Sequence, residues 1–437
     1  MTIENRWVHS GHRVLRCLSP LVLSLYLSLS AAADGGEPVA PLPETVTMRQ
    51  LLDIAKRHSP RYAALRQSIE ISRAGVAAAE VLPNPRLDFG NYNLMSANNT
   101  MYDGKVQRQI LLEVPVLISG QRGARVEAAE KQVQTTEAAV QAGFADLVHE
   151  IWRTYVKLLA GQQRVAVLEE TSANMTHLAA IVAGREQSGS ASRYDTLRME
   201  IEAKDIQARL ETARNELQGT AGELGLILGL PDWKPQAAGN LAPLGVPADS
   251  KKSWEDAERT NPEIETARRG ETAADAELEK AKTERWPIPS IQFGSAFTEQ
   301  PYGHAFFGGL SVEIPLFDRN QGGMARASAE KQSAILERGL VTSQVHVALD
   351  RATGLLARRR ETRMKFEREV IAKLSDLKEM GEAAYRLGKG SLLELLDSTR
   401  SRTEIRLTHL ELIQLELEAE LETLKASGLL VTQAEAG

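Results

Sequence analysis

Glu113-Val-Pro-Val-Leu-Ile-Ser-Gly-Gln121 and Glu313-Ile-Pro-Leu-Phe-Asp-Arg-Asn-Gln321 share an acidic residue, a β-branched residue, a proline and a closing glutamine at the same spacing. The likeness extends both ways. Downstream, Ala129-Glu-Lys131 falls opposite Ala329-Glu-Lys331. Upstream, Leu82-Pro-Asn-Pro-Arg-Leu-Asp-Phe-Gly90 answers Trp286-Pro-Ile-Pro-Ser-Ile-Gln-Phe-Gly294, and His58-Ser-Pro-Arg-Tyr-Ala-Ala-Leu-Arg66 answers Thr260-Asn-Pro-Glu-Ile-Glu-Thr-Ala-Arg268. The 437-residue chain is therefore an internal duplication with a period near 200 residues. The first copy covers 34–229, a linker rich in proline and glycine covers 230–250, the second copy covers 251–430, and 431–437 form a tail.

Each copy predicts the same elements: a helix (44–80; 252–284), two strands (86–94 and 106–116; 290–298 and 307–316), a long helix (121–188; 323–387), a tip turn and a returning helix. The pairs Pro83/Pro85 and Pro287/Pro289 end the first helix and open the strand, since proline continues neither a helix ladder nor a central sheet ladder. Each long helix has about 65 residues and, at about 1.5 Å per residue, reaches on the order of 100 Å. The flanking helices have roughly 35 residues each, so two of them end to end match one long helix and make a rod. In the last helix Leu392, Leu396, Thr399, Thr403, Leu407, Leu410, Ile413, Leu417, Leu421 and Leu424 form one seam. Ile405, Leu412, Ala419 and Ala426 form a second seam on the other flank. Two seams suit a helix with neighbours on both sides, in a closed ring of helices or in an antiparallel bundle.

The strands alternate apolar and polar residues and carry or adjoin Phe89, Tyr92, Phe293, Phe297, Phe306, Phe307 and Phe317. Aromatics near strand ends suit the water interfaces of a membrane β-barrel, and soluble sheets carry them too. In lipid every backbone group must be paired, and single-chain barrels begin at about eight strands. Four strands must therefore be pooled between identical copies; a trimer supplies twelve and a dimer eight. The fold class expected is mainly α: a long α-helical coiled-coil barrel with four β-strands per chain contributed to a membrane β-barrel.

Residues 1–33 read as a secretory signal, with Arg6, Arg13 and Arg16 before an apolar run from Leu18 to Leu29 and Ala31-Ala-Ala33 as the cleavage site. The chain's formal charge of −6 becomes more negative when three arginines and one glutamate leave with that segment, which argues against nucleic acid. The one cysteine, Cys17, lies before the apolar run, so the mature chain expects no disulfide, thiol chemistry or zinc-cysteine site. The remaining histidines, His58, His149, His177, His304, His346 and His409, are scattered singly. No His-Glu-x-x-His, Gly-x-Ser-x-Gly or phosphate-cradling loop appears, and no cofactor, metal site or catalytic residue is expected.

With these residues in view, the chain resembles the TolC family of outer-membrane efflux proteins over about 44–430. The carriers are Glu313 to Gly322 with the shadow at Glu113, the Leu82-Pro-Asn-Pro85 entry to the first strand, and the duplication itself. It looks most like the CzcC-like and CusC-like branch that serves heavy-metal pumps. The resemblance implies a homotrimer with a 12-stranded barrel in outer-membrane lipid and a helical tunnel in the periplasm, docked to a periplasmic adaptor and an inner-membrane RND pump. It implies a passive duct for heavy-metal cations, with drug efflux or type I protein secretion as variants of the same fold. A coiled-coil envelope protein without a channel is the structural alternative; two duplicated aromatic hairpins between rod segments argue against it. The tips Ser188 to Asp195 and Leu387 to Glu394 are similar to the family's adaptor-docking ends, which points to Gly189, Ser190, Arg193, Asp195, Leu387, Gly388 and Lys389. Glu394-Leu-Leu-Asp397 is similar to the family's Asp-x-x-Asp constriction, with Glu at the first position, and implies a periplasmic gate of converging carboxylates. Acids at a helix start also favour the helix dipole.

Overall fold

In a computed structural model, residues 42–94, 105–299, 303–386 and 390–436 are described, and the residues from Glu44 onward form one compact unit. The proposed leader lies outside the described residues. The first copy runs β1 (Thr45–Val46), α1 (Met48–His58), α2 (Pro60–Glu80), β2 (Arg86–Leu94), β3 (Lys105–Pro115), α3 (Gln121–Gln187) and α4 (Arg193–Ile227). After β4 (Gln236–Ala237) the second runs α5 (Ser250–Thr260), α6 (Pro262–Thr283), β5 (Ser290–Thr298), β6 (Gly303–Ser311), α7 (Gln321–Glu369), α8 (Leu374–Arg386), α9 (Leu392–Ala426) and α10 (Leu430–Ala436). α1 and α5 have 11 residues each and α4 and α9 have 35 each, whereas the 67 residues of α3 stand opposite the 49 of α7 and the 13 of α8.

Three expectations need correction. The first helix of each copy is broken in two, at Ser59-Pro60 and Asn261-Pro262, because a residue before proline is pushed out of the α region. Ser59 and Asn261 sit at ψ 117° and 120° and end one helix while capping the next. The second long helix is also broken: α7 ends at Glu369 with Val370 as its cap, and a 3-10 turn over Ile371–Lys373 separates it from α8. Finally, β6 lies at 303–311 rather than 307–316, and its last pair with β5 is Ser311 with Ser290.

The shorter helices do stack end to end. α4 closes on Gly229 (φ +77°), where a Cβ would press on Pro60 at the start of α2, and α9 closes on Gly428 (φ +76°), where a Cβ would come within 2.6 Å of Asn261 at the start of α6. Side by side, α3 packs against α2 and α6 in one half of the rod and against α4 and α9 in the other, and α7 flanks both α6 and α9. The half nearer the sheet packs through small residues such as Ala128, Ala273, Ala276 and Ala327. The other half is filled by Met175, Val182, Met199, Ile206, Leu392 and Leu396.

The segment between the copies is a belt. β4 pairs in parallel with β1, and Gln162 bonds both the N–H (2.8 Å) and the carbonyl (3.1 Å) of Ala237. Further along, Glu420, fully buried, accepts from the N–H groups of Leu244 (2.6 Å), Gly245 (2.9 Å) and Val246 (3.0 Å) and from Arg360 (2.9 Å). Buried Glu416 bridges Arg360 (2.9 Å) and Arg363 (2.5 Å), and Glu367 joins Arg363 (2.6 Å) to His409 (2.8 Å). Burial pushes the Glu420 carboxyl above the usual range, while the three N–H groups and Arg360 pull it back. Counted from their caps Ser192 and Ser391, α4 places Leu217 and Ala221 where α9 has Glu416 and Glu420. The expected tail contains α10, with Leu430 and Ala434 buried and Glu435 bonded to Lys56 of α1 at 2.8 Å.

Candidate functional site

The four long strands form one antiparallel sheet in the order β2-β3-β5-β6. Because side chains alternate along a strand, the register sorts them onto two faces. Leu87, Phe89, Ile110, Leu112, Ile291, Phe293, Phe306 and Leu310 share one face, and Arg86, Asp88, Gln107, Gln109, Glu113, Gln292 and Thr298 share the other. All the apolar residues just named are exposed. The strands β2 and β6 are open edges with unpaired backbone groups. They run antiparallel to each other, so β6 of one copy can pair with β2 of the next without breaking the alternation.

The rods repeat this open-sided arrangement. Among the described residues α2 buries no side chain and leaves Ile71 exposed, while on the opposite side α7 exposes Leu336, Leu340 and Val347. In the other half α4 exposes Leu197 and Ile201. These apolar flanks bound a wall segment at both sides, as β2 and β6 bound the sheet.

At the far end of α3 the chain turns through Gly189 (φ +75°), whose N–H bonds Glu186 O at 2.9 Å, and the N–H of Ser190 bonds Arg185 O at 2.7 Å. Arg193 lies 3.7 Å from Glu186. Ser192 and Asp195 form a capping box: Asp195 Oδ2 accepts from Ser192 N–H (3.1 Å) and from the Ser192 hydroxyl (2.7 Å). These bonds from the Ser192 side chain and backbone, against slight burial and helped by Arg185, hold the Asp195 carboxyl below the usual range. Arg185 also stacks 5.2 Å over the Tyr385 ring of α8, tying the two tips together. Leu387, Gly388 and Lys389 lie outside the described residues.

In the second copy Ser391 and Glu394 form the equivalent capping box, with Glu394 Oε2 accepting from Ser391 N–H at 2.9 Å. Glu394 is thus the counterpart of Asp195, and a first role for its carboxylate is to cap its own helix. The signal was present in the sequence as Ser391-Leu-Leu-Glu394, the capping-box spacing. Asp397 follows one turn on, exposed, and its counterpart in α4 is Arg198, which donates to Tyr194 Oη at 3.0 Å. The two copies therefore present opposite charges one turn inside their tips.

Residues 51–230 match the family model "Outer membrane efflux protein". Over that stretch, from within α1 to just past the end of α4, this chain is similar to the outer membrane efflux protein family. The cobalt-zinc-cadmium resistance protein CzcC of Cupriavidus metallidurans is 21% identical over 87% of this chain and 90% of its own. The pyoverdine export outer membrane protein OpmQ of Pseudomonas putida is 24% identical over 94% of this chain and 96% of its own. A crystal structure of CusC superposes with a TM-score of 0.70 at 20% identity, covering 87% of this chain and 92% of that one.

The outer membrane efflux protein family is one of channel proteins rather than enzymes. Among the described residues, no helix is long and apolar enough to cross a membrane and no three His, Cys, Asp or Glu side chains group as metal ligands. His149 pairs with Glu422 at 3.2 Å and His409 with Glu367 at 2.8 Å, each between two helices, while His346 pairs with Asp350 at 3.4 Å one turn along α7. The residues that sequence reasoning missed are Glu416, Glu420, Arg360 and Arg363, which fasten the belt. Nothing in their spacing distinguishes them from solvated charges on a long helix.

Proposed function

We propose that identical copies of this chain, three in number, close into one tube that serves as the outer-membrane conduit of a tripartite RND-type efflux system. The observation that supports the reading is the sheet: one face richer in apolar residues, one richer in polar residues and two complementary open edges, set on rods that are open at the same sides. Closure pairs every edge strand, turns the apolar face to lipid and the polar face to a water-filled bore, as a membrane barrel requires. In this reading residues 1–33 direct export and are removed, and the rods extend into the periplasm. The tips around Gly189, Ser190, Arg193 and Asp195, and around Leu387, Gly388 and Lys389, receive a periplasmic adaptor. Glu394 and Asp397 gather at the mouth and bias it toward cations.

The cargo proposed is a heavy-metal cation, supported by the likeness to CzcC over nearly the whole of both chains. A duct that must release its cargo needs no binding cage, and the pump supplies selectivity and energy. The second reading is export of an organic compound, favoured by the likeness to OpmQ over a still larger share of the chain. A deletion strain challenged with zinc, cobalt, cadmium, nickel, copper, silver and a panel of drugs and siderophores separates them. Hypersensitivity to cations, reversed by the wild-type chain, supports metal efflux; a defect confined to organic compounds removes it.

A further inference from the structure

Two aromatic rings on the polar face of the sheet lie where glycines leave room for them. Phe307 faces Gly294 across the β5–β6 pair, and a Cβ placed on Gly294 would overlap the Phe307 ring. Tyr92 follows Gly90 by two positions on β2 and so points to the same face; a Cβ on Gly90 would come within 2.5 Å of the Tyr92 ring. Neither glycine has a positive φ, so the backbone does not demand glycine at either place. The side-chain space does. Exposure shows the attitude of the ring: Phe307 is 38% exposed, whereas Phe306, the next residue, on the other face of the same edge strand, is 86% exposed. Phe307 lies down on its glycine, and Phe306 stands off the sheet.

Gly90 and Gly294 are also equivalent positions of the two copies, closing Phe89-Gly90 and Phe293-Gly294. The first copy docks a ring from its own strand and the second from the neighbouring strand. Two unrelated ring positions thus arrive at one result.

We propose that Gly90 and Gly294 are docks that hold the Tyr92 and Phe307 rings flat against the wall, so that these two rings set the bore of the barrel and the size of what passes. This rests on the reading of the sheet as a barrel wall with its polar face inward. With a side chain at either dock, the ring must lift off the sheet, and the only free space is the bore. Repeated in every copy, two raised rings per chain narrow the tube at two levels, since the register aligns Tyr92 with Gly303, four residues from Phe307.

The test uses passage from the hairpin end. Gln292 sits on the same face as Gly294, two residues nearer the helices, so a reagent entering from outside the cell must pass the rings to reach it. In cells carrying Gln292→Cys, a bulky and a small methanethiosulfonate are compared. Labelling by the bulky reagent is expected to slow by roughly threefold or more with Gly294→Ala and to rise with Phe307→Ala. Gly294→Ala is expected to have no further effect once Phe307→Ala is present, since the glycine then has no ring to hold. The small reagent labels all variants alike and shows that each is assembled. Bulky-reagent labelling unchanged by Gly294→Ala, or slowed equally in the Phe307→Ala background, overturns the docking role. Failure of both reagents to reach Gln292→Cys in any background overturns the barrel reading itself, and the inference with it.

Discussion

Replacing Glu420 with alanine tests whether the belt between the copies is fastened by one carboxylate. The side chain is fully buried, and its two oxygens accept four bonds, from the N–H groups of Leu244, Gly245 and Val246 and from Arg360. Glu420→Ala leaves the buried N–H of Val246 and the part-buried N–H groups of Leu244 and Gly245 without this acceptor, at up to about 1 to 3 kcal/mol each before water re-enters. It also leaves Arg360 with Glu416 as its one remaining carboxylate. Breaking a buried ion pair from one side typically costs about 3 to 5 kcal/mol, and we take the lower end because the belt is near solvent. If the loss is confined to the belt, about 3 kcal/mol corresponds to local opening more than about a hundredfold more frequent. Hydrogen exchange by mass spectrometry on the purified full chain in detergent reads this directly, on the peptide covering 241–247. Glu420→Gln keeps one oxygen acceptor and turns an amide NH2 toward a donor, so it is expected to fall between wild type and Glu420→Ala. Exchange of that peptide within about threefold of wild type in Glu420→Ala would refute the reasoning, because it would mean that the buried donors had found partners at little cost.

Three further outcomes are expected. Glu394→Gln with Asp397→Asn keeps an N3 side-chain acceptor for the Ser391 cap while removing both charges, and it raises single-channel conductance and lowers cation preference in planar bilayers; unchanged values for both would remove these residues from the mouth. Gly428→Ala combines a left-handed backbone with a Cβ pressed on Asn261, so it destabilises by about 1 to 3 kcal/mol, read as a lower denaturant midpoint, whereas Gly123→Ala, in open space on α3, does not. Asp195, whose carboxyl is held below its ordinary value in the folded tip, contributes stability above the unfolded carboxylate pKa and loses it as pH falls through the folded one. Exchange at the start of α4 therefore speeds on acidification in wild type, and Asp195→Asn flattens that response.

The candidate site was partly legible in advance. The capping box at Ser391 to Glu394 was visible as a spacing, and so was Pro60 or Pro262 as a break, but each was subordinated to a larger pattern. The Gly294–Phe307 dock had no sequence signal, because the two residues belong to different strands and meet only through the register. The same holds for Glu420: on the sequence it is one acid among several on α9, and only the path of the belt makes it a buried acceptor.

By itself the sequence determined the duplication, the order of elements within each copy, the bounds of β2 and β5 and the seam along α9, since these follow from local spacing, proline positions and periodicity. Tertiary structure alone decided which strand pairs with which and which side of the sheet gathers most of the apolar residues. It also decided that one linker is a fastened belt. The physical reason is that pairing and burial join residues far apart in the chain, and a single sequence carries no term for the neighbour that a side chain will meet.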